Sequence, residues 1–131
     1  MTKTTSFEIS RKLWEKGLKV ETEKVWHDVA TNGIFVLRRI KLRISEIEEQ
    51  NKTAQKVYPA PDTVELWEVL PEKIDISNLR IDKYETGIYV AYDKLNIFLT
   101  DSLPEALGLM ALWLIENGYI KNGGKEKDDF I

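Results

Sequence analysis

The sequence predicts an α+β fold, a small antiparallel sheet of hairpins packed against about three helices in a single domain. Three observations lead there. Segments with helical periodicity at 5–17, 62–70 and 102–117 each open on a capping residue and close on glycine or proline. Short β-branched and aromatic runs between them are separated by turn residues, the pattern of hairpins. The chain has 131 residues, 43% hydrophobic and 31% charged, a globular balance for one core. The domain is expected to span 1–120, with 121–131 a flexible tail.

Taken in order, Thr5 is placed to cap the first helix, Glu8 to complete a capping box and Gly17 to stop it. Phe7, Trp14 and Leu18 form its expected core stripe. A short strand is predicted over 25–30, turning through Thr31-Asn32-Gly33. The stretch IFVLRRIKLRISEIEEQ fits two periods. Ile34, Val36, Ile40, Leu42 and Ile44 share one face of a strand, whereas Leu37, Ile40, Ile44 and Ile47 share one stripe of a helix. The β-branched start favours a strand to about Ile44, then a helical turn over 45–50 with Ser45 and Glu48 as its box. Residues 51–61 read as a loop with two prolines.

Asp62 and Glu65 cap a second helix that Pro71 ends. Residues 79–91 form the clearest hairpin, turning at Glu85-Thr86-Gly87, and 97–100 continue the meander. In the last helix Ser102 and Glu105 form the expected box, with Gly118 at the end. At about 100° per residue, Leu103, Leu107, Met110 and Leu114 form its core stripe, flanked by Ala106, Trp113 and Ala111. Leu109 and Leu112 fall on the opposite side, beside Glu105 and Glu116. Either the rest of the monomer covers them, or they form an apolar seam for a homodimer or partner.

There is no cysteine, so disulfides and thiolate chemistry are excluded. The start, MTKTTSFEIS, has no signal-peptide run, and the apolar run Leu109–Ile115 is too short to cross a bilayer. A soluble cytoplasmic protein without membrane contact is expected. Residues 1–60 carry 12 Lys/Arg and 8 Asp/Glu, a balance of +4, and residues 61–131 carry 7 and 14, a balance of −7. The two halves can attract each other within one fold or orient a partner.

The only histidine, His27, lacks a second histidine or thiolate with which to ligate a metal. Glu46, Glu48 and Glu49 lack calcium-loop spacing and read as a solvated acidic run. No phosphate cradle or nucleophile elbow is present. No catalytic, cofactor or metal site is therefore expected, and an enzyme is disfavoured. The best contact candidate is the basic segment 38–43. On a strand, Arg39, Lys41 and Arg43 would project from one face about 6.6 Å apart, matched to nucleic-acid phosphates, with Phe35 free to stack on a base. The following glutamates and the acidic net charge of −3 oppose that use.

The segments LWEKGL, KVWHDV, YPAPDTVELWEVLP, YETGIYVAYDK and LWLIENGYI occur in an order that resembles a family of small uncharacterised proteins from phages, prophages and mobile elements of gut bacteria. The resemblance spans about Ser6 to Lys121 and is most specific in the closing helix and the Leu-Pro segment. Residues 33–56 depart from it, being longer and more basic. It implies the context of a mobile-element accessory protein and carries no activity, cofactor or catalytic residue. A non-enzymatic protein-binding domain is the expectation, with Leu109 and Leu112 as apolar contact and Arg39, Lys41 and Arg43 as electrostatic contact. A nucleic-acid-binding accessory protein using 38–43 is the alternative.

Overall fold

The computed structural model describes residues 3–74, 77–85, 87–92 and 96–120; the expected tail at 121–131 and Thr86 of the predicted turn lie outside the described residues. The fold is α+β, with four helices and seven strands among the described residues. Its antiparallel strands are divided between two sheets.

Helix α1 (Phe7–Glu15) begins one residue later than predicted, because Ser6 and not Thr5 is the N-cap. Ser6 Oγ accepts the Ile9 N–H at 3.4 Å, while the Thr5 hydroxyl turns inward to pair with Ser10. Glu8 closes no box. The expected end holds: Gly17 adopts φ +97° and the Leu18 N–H reaches back to the Leu13 carbonyl at 2.9 Å. The stripe is rotated from expectation, with Ile9, Leu13 and Leu18 in the main core. Phe7 and Trp14 pack on the first sheet instead, because α1 is covered from two sides.

The first sheet has the order β2-β1-β3 and uses three-residue strands. Strand β1 (Val25–His27) stops short of Ala30 because Asp28 turns inward, where its carboxylate accepts the Asn32 N–H at 3.0 Å and the Gly33 N–H at 2.9 Å. Thr31 and Gly33 take the left-handed conformations this turn needs, at φ +55° and +81°. Strand β2 (Val36–Arg38) pairs Val36 with His27 and Arg38 with Val25. The ambiguous stretch is thus a strand, a link and a helix, since α2 (Ile44–Gln50) starts directly after residues 39–43. Its cap falls at Arg43, not Ser45: Glu46 Oε1 accepts the Arg43 N–H at 2.8 Å. The loop expected at 51–61 contains β3 (Val57–Pro59), with Val57 opposite His27 and fully buried. Pro59 is tolerated because β3 lies at the sheet edge. Val25, Ile47 and Val57 make a minor core, against which Trp14, Ile40 and Leu42 pack.

Helix α3 (Thr63–Val69) is capped as predicted, with Asp62 and Glu65 exchanging two bonds of 2.9 Å. The second sheet runs β4 (Lys73–Ile74), β5 (Ser77–Tyr84), β6 (Gly87–Tyr92), β7 (Asn96–Thr100) in chain order. Val90 and Tyr92 of β6 are buried in the main core, against which Leu79, Ile81 and Phe98 of the neighbouring strands pack.

Helix α4 (Leu103–Glu116) touches α1, α3, β6 and β7, and this explains an apolar helix in a polar chain. Ala106, Leu107, Met110, Ala111 and Leu114 are fully buried. At Gly108, an added Cβ would fall 2.7 Å from Ile9 Cγ2 and 2.9 Å from Thr5 Cγ2, so the missing side chain admits α1. The Ser102–Glu105 box does not form: Ser102 makes no side-chain cap, and Glu105 instead accepts the Ser6 N–H of α1. The end is as expected, the Tyr119 N–H meeting the Leu114 carbonyl at 2.8 Å beyond Asn117 and Gly118.

Candidate functional site

The residues singled out by sequence fall in two places. Leu112 is 8% exposed, and half-buried Leu109 packs against the main core. Of the two expectations for these leucines, cover within the monomer is the one their burial favours, with α1, α3, β6 and β7 all in contact with α4. Arg39, Lys41 and Arg43 are exposed, but they stand on the link between β2 and α2, not on a strand. The alternation survives without the ladder. Ile40 and Leu42 turn onto the minor core, and the three cations between and beside them face outward.

These cations differ in their partners. Arg43 Nε lies 3.6 Å from Glu46 Oε1. Arg38 Nη1 donates to His27 Nδ1 at 3.0 Å, since a guanidinium has no acceptor. Burial foremost, then the Arg38 charge, holds the His27 imidazole below its usual pKa, with Asp28 pulling the other way. Among the described residues neither Arg39 nor Lys41 has a carboxylate at ion-pair distance. The acidic run that follows is not left to solvent alone: Glu48 pairs with Lys19 at 2.8 Å and Glu49 with Lys52 at 3.1 Å.

Arg39 also lines a cleft of about 30 Å³ with Thr4, Glu23, Lys24, Ala60, Asp62 and Glu65. Glu65 is its fixed point, accepting the Asp62 N–H at 2.9 Å and the Glu23 N–H at 3.1 Å. Burial raises the Glu65 carboxyl, the two backbone donors pull it back, and the Asp62 and Glu23 charges add to the rise. The space is about that of one water molecule. Among the described residues no group of three or more His, Asp or Glu is placed to hold a metal ion, and no helix is long and apolar enough to cross a membrane.

Sequence reasoning missed the apolar neighbour of the basic segment. Ile34 is 65% exposed, Val36 45% and Leu37 41%, with Val29 also exposed on the same hairpin. All three residues of β2 are exposed. Ile34 and Val36 do not share the fate of Ile40 and Leu42 on the expected strand face: the first two are exposed, while the other two pack on the minor core. Phe35 is the exception. It stacks on Phe7 with centroids 4.2 Å apart and lies 5.7 Å from Tyr58, so it is engaged within the fold and not free for a base. Arg11 sits 5.4 Å from the Phe7 ring, on the same aromatic cluster. The hairpin thus offers aliphatic side chains that run directly into exposed cations. The chain matches no family model, no curated protein and no solved structure.

Proposed function

We propose that the protein is a non-enzymatic protein-binding domain, a cytoplasmic accessory protein of a phage or mobile element that acts by stoichiometric contact. The contact surface is the β1–β2 hairpin with the basic segment after it. One observation carries this reading: exposed Ile34, Val36 and Leu37 continue without a break into exposed Arg38, Arg39, Lys41 and Arg43. Apolar area supplies affinity and the flanking charge supplies orientation. The apolar part of the contact moves from Leu109 and Leu112, which pack in the core, to the hairpin.

The test is a nuclease-treated pull-down from host lysate with wild type, Leu37→Asp and Arg39→Glu/Lys41→Glu. A discrete protein retained by wild type and lost from both variants, at unchanged melting temperature, supports the reading. Retention by both variants removes the hairpin from the contact.

A second reading, nucleic-acid binding by Arg39, Lys41 and Arg43, is favoured by the outward alternation of these three cations alone. It requires single-strand affinity that falls with salt at a logarithmic slope of about −2 for three phosphate contacts. A flat salt response eliminates it.

A further inference from the structure

The backbone hydrogen bonds fix which groups of β2 face outward. The Asp28 N–H donates to the Lys56 carbonyl at 3.0 Å, and the Ala60 N–H donates to the Lys24 carbonyl at 2.9 Å. In an antiparallel ladder the bonded pairs alternate. Lys24, Trp26 and Asp28 therefore turn their backbone toward β3, while Val25 and His27 turn theirs toward β2. Given the register, Val36 and Arg38 bond to β1, and the N–H and C=O of Leu37 point away from it. Among the described residues neither group has a hydrogen-bond partner, and β2 is the edge of its sheet.

We propose that this edge takes a fourth strand: an extended segment of a partner protein, in which aliphatic and acidic residues alternate, pairs with β2 through Leu37. The proposal rests on the protein-binding reading above and gives it a mode and a partner chemistry. Open strand edges are templates for pairing, and proteins commonly blunt them with charge. Here the charge is uneven. Val36 and Leu37 stay uncharged and exposed, while Arg38, Arg39, Lys41 and Arg43 crowd the end that leads to α2.

That arrangement sorts partners. A second copy laid parallel would set cations against cations, and like charges placed opposite one another destabilise a pair. Laid antiparallel about Leu37, it would place Arg38 opposite Val36 and Arg39 opposite Phe35, with no carboxylate to meet either cation. An acidic strand meets the same cations favourably, with Arg39 and Lys41 available to it. Main-chain bonds at Leu37 then supply pairing, and Val36 and Ile34 supply apolar contact. A nucleic acid would use the cations but neither the aliphatic side chains nor the open backbone groups, and Phe35 is engaged with Phe7.

The probe is a soluble peptide of alternating valine and glutamate, titrated into the isotope-labelled full chain. Two arms replace it with a valine–lysine peptide and with oligothymidylate. Amide shifts confined to residues 34–43, with slowed exchange of the Leu37 amide, are expected for the acidic peptide alone. Leu37→Pro removes the outward donor without touching the β1 ladder, and weakens binding about ten-fold or more. Exchange at Leu37 in wild type reads the same contact should that variant fold poorly. No shifts at about 1 mM acidic peptide, or equal shifts with the lysine peptide, overturn the proposal. Tighter binding of oligothymidylate at the same amides also overturns it. Unchanged peptide binding by Leu37→Pro, with an unprotected Leu37 amide, overturns strand addition. If Leu37→Asp still loses its pull-down partner, protein binding then stands without it.

Discussion

The strands β5 and β6 run eight and six residues, and the face they share with β7 lies against α4, in a core that also receives α1 and α3. The strands β1, β2 and β3 run three residues each, and their buried aliphatic cluster is Val25, Ile47 and Val57. Aromatic rings finish the other face, where Trp26 and Tyr58 meet Phe7 and Phe35, and the Trp26 Nε1–H donates to the Thr5 carbonyl at 3.1 Å. The second sheet is thus a scaffold whose packing resists change. The first is a small platform that leaves one strand bare. Stability differs across a molecule with buried apolar contact, so the first sheet is expected to open at lower cost than the second.

The largest test of that difference compares two cavities. Leu107→Ala, in the main core, should cost about 2–5 kcal/mol and unfold the whole molecule at lower denaturant. Val57→Ala, in the minor core, should cost about 1–3 kcal/mol, with accelerated amide exchange confined to β1, β2, β3 and α2. Equal exchange throughout the Val57→Ala variant would merge the two regions into one cooperative unit.

The tie between α1 and α4 is next in size. Glu105→Ala leaves the Ser6 N–H without its carboxylate and should cost about 1–2 kcal/mol. Glu105→Gln keeps an acceptor and should cost less, in the same denaturation series. A smaller effect belongs to the first sheet alone. Because the fold holds the His27 imidazole below 6.5, the unfolded chain binds more protons in that range. Stability should therefore drop as pH falls below 6.5, with β1 and β2 losing protection first. His27→Gln should flatten this dependence, and parallel curves for the two proteins would detach His27 from it. Smallest of all, Leu37→Asp should move the unfolding free energy by only about 0.5 kcal/mol, since Leu37 is exposed on an edge strand and lies outside both buried clusters. A larger loss would make Leu37 part of the platform and not its open edge.

Legibility in the sequence followed distance along the chain. The Asp62–Glu65 box, the Gly17 stop and the Leu79–Ala91 hairpin were readable because each is completed within a few residues. Strand β3 was not, since its partner β1 lies some thirty residues earlier and two prolines disguise it. Ser6 lost out to Thr5 as the cap because the carboxylate that completes it comes from Glu105, 99 positions away. For the proposed contact surface, the alternation at 39–43 was visible, and Arg39, Lys41 and Arg43 are exposed, on a link and not on the expected strand. The exposed aliphatic neighbours were not visible, because alternation reports a shared face and not whether anything lies over it. Leu109 and Leu112 show the converse: a helical wheel divides one helix into two sides and cannot count how many neighbours it has.

The contact between Glu105 and Ser6 also sets an order of events during synthesis. Helix α1 is made before α4, with Ile9 and Leu13 ready for a core that α4 has yet to join. Until α4 follows, its first turn lacks both the carboxylate on the Ser6 N–H and the Gly108 notch that receives Ile9. The contacts that settle α1 therefore arrive only with α4, and the main core closes late, when these two helices meet.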